Sequence, residues 1–233
     1  MYHPLSIVRK YYHKGGKFFV EEGFPGKILA GMEKGVYNKQ KRKGEIGMAM
    51  ELEWKFAATK EAFSALQTRY QEVLSPIQME TTYYDTPEKF FSSLRCTLRT
   101  RLENGKCICT LKTPAEKGRA EWEVEMDSIR EAAPVLCKLA GLPAPEVLVP
   151  VCGAKFTRLA ATISLETVTV ELALDNGILL GGNKELPLLE VEIEYKSGEE
   201  KDGEIFAYSL AAELGLSPER KSKFRRAMDL TAE

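Results

Sequence analysis

Charged side chains punctuate seven stretches of this sequence, most of them at every second residue. Glu51, Glu53 and Lys55 come first, then Arg99, Arg101 and Glu103, then Lys112, then Glu121, Glu123 and Glu125. Arg158 follows, then Glu171 and Asp175, and last Glu190, Glu192 and Glu194. The residues between them are mostly apolar, as in Leu52, Trp54 and Phe56. A period of two puts alternate side chains on opposite faces of a β-strand, so each stretch predicts a strand with one charged and one apolar face. A solvated sheet face explains any one of them alone. It explains the set less well, because Glu-x-Glu-x-Glu twice and Glu-x-Glu-x-Lys once concentrate like charges that repel unless something neutralises them. Carboxylate clusters hold Mg²⁺ or Mn²⁺ through oxygen ligands. Arg and Lys clusters hold phosphate oxygens. A site containing both suits a polyphosphate bridged by metal, and the chemistry it points to is phosphoryl transfer to water.

Seven such faces come together if the strands form a closed barrel with a charged lumen and helices on its apolar outside. The predicted class is therefore mainly antiparallel β with helices, α+β. The first strand spans 50–56. A helix runs from about Lys60 to Leu74, with Thr59 as cap and Phe63, Leu66, Tyr70 and Val73 on one stripe; Pro76 ends it. A strand over 78–85 closes at Thr86-Pro87. Asn104-Gly105 turns a hairpin between 94–103 and 106–113. After the strand 120–126, a helical pattern lies within 128–142, with Pro134 as its first helical residue and Gly141 as its stop. Pro143, Pro145 and Pro150 mark a connector. Strands over 156–164 and 168–175, a turn at Asn176-Gly177, a second turn at Gly181-Gly182-Asn183 and a strand over 189–195 complete the sheet. A helix over 204–214 stops at Gly215. Ser217-Pro218 caps a last helix carrying Arg220, Lys221, Lys223, Arg225 and Arg226, either phosphate ligands or a solvated face.

The chain has 233 residues, 44% hydrophobic and 29% charged, as in ordinary globular proteins. It contains no apolar run long enough for a membrane span and no secretory leader, so a cytoplasmic protein with no membrane or nucleic-acid partner is expected. Its five cysteines lack a metal-knuckle spacing and are read as reduced thiols. The only histidines are His3 and His13, so the body has no Ser-His-Asp or Cys-His arrangement and no histidine metal site. Residues 1–47 carry ten Lys/Arg against four Glu, leaving 23 basic and 30 acidic side chains in 48–233. The first segment is Gly-rich without a sustained period, and its Gly23–Lys27 run lacks the spacing of a phosphate loop. It is expected to be a flexible or non-native basic extension, with natural translation starting at Met48 or Met50. The functional domain is expected over 48–233.

The ordered residues resemble the CYTH superfamily, the triphosphate tunnel metalloenzymes, and within it the bacterial inorganic triphosphatases. The resemblance is carried by Glu51-x-Glu53-x-Lys55, Tyr83-Tyr84-Asp85-Thr86-Pro87, Leu98-Arg99-Thr100-Arg101, Thr110-Leu111-Lys112 and Phe156-Thr157-Arg158. Ala173–Gly177, Glu190–Glu194 and Ser222-Lys223 with Arg226 continue it. It implies an eight-stranded antiparallel β-barrel tunnel (the CYTH fold). Lys55, Arg99, Arg101, Lys112, Arg158, Lys223 and Arg226 would bind the triphosphate. Glu51, Glu53, Glu190 and Glu192 would hold Mg²⁺ or Mn²⁺, with Asp175 or alternatively Glu171. Glu53, Lys55 and Lys112 would be catalytic. The implied reaction is hydrolysis of inorganic tripolyphosphate to pyrophosphate and phosphate, by a monomer or homodimer. Alternatives are an adenylyl cyclase making cyclic AMP from ATP, a thiamine triphosphatase, or a non-catalytic polyphosphate or nucleotide binder. Neither a companion polyphosphate-binding helical domain after residue 233 nor regulation by one in cis is expected.

Overall fold

The computed structural model describes residues 10–14, 17–21, 30–32 and 46–232. The alternation around Glu51 and Glu53 folds as two consecutive strands, β4 (Ile46–Glu51) and β5 (Glu53–Ala57), separated only by Leu52. They follow three short strands, β1 (Lys10–Lys14), β2 (Lys17–Glu21) and β3 (Ala30–Met32), which pair in sequence; β3 also pairs with residues 163–164. The rest of residues 1–45, and with it the expectation of a flexible or non-native extension there, lies outside the described residues.

The main sheet is antiparallel throughout. Its members are β6 (Ser75–Asp85), β7 (Thr97–Glu103), β8 (Lys106–Pro114), β9 (Arg119–Glu125), β10 (Val149–Ser164), β11 (Val168–Gly181) and β12 (Lys184–Gly198). They lie in the order β5-β12-β11-β10-β6-β7-β8-β9-β4. Its two end strands, β5 and β4, are one continuous run of chain, so the sheet closes on itself as a tunnel. Counted once, that run makes the eighth strand, as the resemblance implied. At the break, the Leu52 carbonyl accepts from the Tyr195 N–H at 2.9 Å. Register then decides which charges meet. Arg158 opposes Asp175, Asp175 opposes Glu190, Glu192 opposes Lys55, and Lys112 opposes Glu121. Opposed residues in an antiparallel pair share a face, so these charges converge on the lumen.

The outward faces are apolar and covered. Phe56, Leu172, Leu174, Val191 and Ile193 pack under α1 (Lys60–Tyr70) and α4 (Glu200–Leu214), whose Leu66 and Ala207 are fully buried. Leu98, Cys109, Leu111 and Val124 pack under α3 (Ile129–Leu139) through Ala132, Leu136 and Cys137. A third group, Ile77, Met79, Ala154, Phe156, Leu179 and Leu188, shares the tunnel face by register and takes Ala227 of α5 (Lys223–Asp229). The last helix thus seals an apolar end of the barrel. None of the helices formed by the described residues is long and apolar enough to cross a membrane.

Four local expectations are corrected. Asn176-Gly177 is not a turn but the middle of β11, and the turn comes at Gly181–Asn183. Glycine is required at 177 because the opposing strand comes too close: a Cβ there would lie 2.2 Å from the Lys155 carbonyl oxygen. Pro134 lies inside α3, which starts at Ile129 with the Ser128 hydroxyl accepting from the Arg130 N–H at 3.2 Å. Burial of Ile129, Ala132 and Ala133 ahead of the proline outweighs the hydrogen bond it forfeits. Ser217-Pro218 forms a short strand, β13, on β5; the hydroxyl of Ser222 caps α5, accepting from the Arg225 N–H at 3.1 Å. Finally, α4 begins at Glu200, because Gly203 leaves room for the Trp54 ring, which would stand 3.2 Å from a Cβ there.

Asp85 closes β6 and organises a short helix the sequence reading did not foresee, α2 (Phe90–Ser93). Its buried carboxylate accepts from the N–H groups of Thr86 and Phe91 at 2.8 Å each, from the Ser92 N–H at 3.0 Å and from the Ser92 hydroxyl at 2.6 Å. Asp85→Ala would leave these buried donors unsatisfied. Urea denaturation is expected to show a loss on the order of 3 kcal/mol, whereas a change within ~0.5 kcal/mol would refute this capping role.

Candidate active site

The tunnel encloses a cavity of about 990 Å³ lined by Glu51, Glu53, Lys55, Arg99, Arg101, Lys112, Arg158, Glu192 and Lys223. One wall is built by β10, β11 and β12 with α5. Arg158 donates from Nε and from a terminal nitrogen to the two carboxylate oxygens of Asp175, at 2.8 and 2.7 Å, and also to Glu192. The Lys223 ammonium lies 2.8 Å from Asp175 and 2.6 Å from Glu192, and donates to Glu190 as well. Arg226 donates to the other oxygen of Glu190. Asp175 and Glu190 are fully excluded from solvent. The Phe156 ring lies 5.9 Å from the Arg158 guanidinium carbon and 5.6 Å from the Lys223 nitrogen, within cation–π range.

A second wall is built by β7, β8, β9 and β4. Lys112 donates to Glu51 and lies 3.2 Å from Glu121; Arg99 is 3.5 Å from Glu121; Arg101 pairs with Glu103 and lies 3.8 Å from Glu123. Between the walls, Lys55 donates to Glu53 at 2.8 Å. The Nε–H groups of Arg99 and Arg226 are buried with no acceptor among the protein atoms, as donors provided for an anion would be.

All twelve residues named for binding, metal or catalysis from the resemblance thus lie on or directly behind the lumen wall. The carboxylates divide. Oxygens of Asp175, Glu190 and Glu192 lie within 4.8 Å of one another. Glu53 is close enough to Glu192 to be raised by its charge, while Glu51 stands on the Lys112 side. Glu171, the alternative to Asp175, shares its face but sits across from Glu194 and pairs with Lys196 at 3.5 Å. The three clustered acids offer hard oxygen donors at a spacing that fits Mg²⁺ or Mn²⁺. The lining also includes residues to which no site role was given, among them Arg119, Lys196 and Phe156. Lys196 extends the Glu190–Glu194 alternation by one more step. Phe156 stands two before Arg158 and so shares its face.

The charges titrate as their surroundings require. Burial pushes Glu190 up to about 7, with Lys223 opposing and Glu192 adding to the effect. Burial disfavours the ionised form of Glu192 too, but Lys223 and Arg158 outweigh it and hold that carboxyl well below the usual range. Burial and Glu192 raise Glu53. Burial would lower Lys55, but Glu53 outweighs it and the ammonium is held above its ordinary value.

The CYTH domain profile matches residues 49–228, and the chain belongs to the CYTH domain family. It is 30% identical over 155 residues to the inorganic triphosphatase of Haemophilus influenzae, an alignment covering 62% of this chain and 44% of that protein. The chain thus matches less than half the length of that relative. Among solved structures, it resembles a Hippeastrum protein described as a candidate adenylyl cyclase with a dominant triphosphatase activity. The TM-score is 0.59 at 18% identity, over 79% of this chain and 98% of that one. A candidate adenylate cyclase of Bacillus halodurans gives 0.56 at 17%, over 77% and 98%. These two likenesses show the shared tunnel fold.

Burial works against ionisation of Glu121, but Lys112, Arg99 and Arg101 outweigh it and hold its carboxyl down at about 2. Its folded value lies below the unfolded 4.5, so its stabilisation is complete above pH 4.5 and is lost as pH falls toward 2. The stability difference between wild type and Glu121→Gln, read from urea midpoints, is therefore expected to be flat above pH 4.5 and to shrink below it. A difference independent of pH across that window would contradict this ion-pair network.

Proposed function

We propose that this protein is a divalent-metal-dependent triphosphatase that hydrolyses inorganic tripolyphosphate to pyrophosphate and phosphate. The observation that carries the reading is the pairing, in one lumen, of a carboxylate cluster suited to a hard cation with seven Arg and Lys side chains. A pure anion receptor has little use for the first, and a pure metal site has little use for the second. The likeness to the Haemophilus influenzae inorganic triphosphatase supports the same substrate class. No cysteine is disulfide-bonded, in keeping with a reducing, cytoplasmic setting.

In this reading Asp175, Glu190 and Glu192, with Glu53 and Glu51 alongside, would hold Mg²⁺ or Mn²⁺. When bound, such an ion polarises phosphoryl oxygens and lowers the proton affinity of water. Lys55, Arg99, Arg101, Lys112, Arg158, Lys223 and Arg226 hold the phosphate oxygens. Water attacks a terminal phosphorus, a new P–O bond forms, the bridging P–O bond breaks, and the water's protons pass to the product phosphates and to solvent. Pyrophosphate leaves with the bridging oxygen. Lys55 and Lys112 counter the charge that grows on the phosphates, and Glu53 positions Lys55 through their 2.8 Å hydrogen bond.

The test is product analysis with tripolyphosphate, ATP and thiamine triphosphate, each with Mg²⁺ or Mn²⁺. Phosphate and pyrophosphate in equal amounts from tripolyphosphate, abolished by EDTA, are expected. Glu53→Ala and Arg101→Ala are each expected to lose about 100-fold or more in kcat/KM. Cyclic AMP from ATP would replace this reading with a cyclase, and turnover of thiamine triphosphate alone would replace the substrate.

A further inference from the structure

Lys223 stands at the centre of the acidic cluster. Its one ammonium contacts Asp175 at 2.8 Å, Glu192 at 2.6 Å and Glu190 as well, and these are the three residues whose oxygens converge within 4.8 Å. With Arg158 on Asp175 and Glu192, and Arg226 on Glu190, three cations balance three carboxylates without help from any ligand. A divalent cation and an ammonium cannot share that cluster, since at contact distance two cations in a poorly screened interior repel strongly. The backbone carrying Lys223 is fixed. Ser222 caps α5, and Ala227 is fully buried among the apolar side chains at the tunnel end. Any withdrawal of the ammonium is therefore a side-chain movement into the cavity that Lys223 already lines.

We propose that the Lys223 ammonium is a built-in placeholder for the divalent cation, and that its exchange from carboxylate to phosphate couples metal binding to triphosphate binding. The proposal rests on the triphosphatase reading, in which the same side chain holds phosphate. Metal alone must displace Lys223 into the cavity with no phosphate there to receive its charge, and so binds weakly. A triphosphate alone must draw Lys223 off three acids, leaving them undercompensated. Together, the anion receives the ammonium and the cation receives the acids. Coupling of this kind is reciprocal, so each ligand tightens the other by the same factor.

The test separates the two ligands on the full chain, at mildly alkaline pH. Mn²⁺ binding without any phosphate is followed by electron paramagnetic resonance. Tripolyphosphate binding in EDTA is followed by calorimetry. Lys223→Gln is expected to bind Mn²⁺ about 10-fold tighter and tripolyphosphate about 10-fold weaker than wild type, a size typical of such couplings. Lys223→Arg keeps the charge and should not gain Mn²⁺ affinity. Lys117→Gln, which removes an exposed charge paired with Glu200 away from the cavity, should move neither constant. A lysine serving only to hold the fold together would not tighten metal binding when removed. Acetic anhydride labelling of the wild type, read by mass spectrometry, guards against a misfolded variant: saturating Mn²⁺ should raise the reactivity of Lys223. Unchanged or weaker Mn²⁺ binding by a folded Lys223→Gln, or labelling indifferent to Mn²⁺, overturns the proposal. Tighter Mn²⁺ binding without turnover of tripolyphosphate would sink the functional reading and keep the placeholder.

Discussion

A carboxylate without access to water survives only with a partner at hydrogen-bond distance, and this barrel imposes that condition on a whole lumen of charges. Asp175 meets it with both oxygens on Arg158 and a third contact from Lys223. Breaking one side of such a pair costs roughly 3–5 kcal/mol, because the partner is left buried and charged. Every lumen residue is therefore tied to the register of its neighbours. A slip of one residue would turn each acid and base out of the tunnel and each apolar residue into it.

The covering elements are arranged to hold that register. Two apolar cores press the sheet from outside, one under α1 and α4 and one under α3. The helix α5 enters from the end and contributes two cations to the cluster it closes. Closure needs no edge strand to be shielded, because β4 and β5 are joined through Leu52 and complete the ring between β9 and β12.

Where sequence reading erred, it erred on local signals that contacts override. Asn-Gly reads as a turn when only neighbours in the chain are considered. At 177 the glycine answers to Lys155 and Phe156 across the sheet. Pro134 reads as a helix start, but the apolar face ahead of it was already committed to the core beneath α3. Ser217-Pro218 reads as a cap, yet those residues pair with Ala57 and Phe56 before the chain reaches Ser222.

What the sequence determined by itself was the two-residue period of the strands and the identity of the charges on their inner faces. From these, the barrel class and the facing of the strand-borne charges were legible, because alternation is a local property that the extended backbone turns directly into facing; Lys223 and Arg226, carried by a helix, were singled out only through the family resemblance. The tertiary structure decided which acid stands beside which base. Whether Asp175 or Glu171 joins Glu190 and Glu192 depends on the register of β11 against β12, and Lys223 reaches those acids only because α5 packs into the barrel end. Both are contacts between residues distant in the chain, set by the fit of whole apolar faces, and no local pattern encodes them.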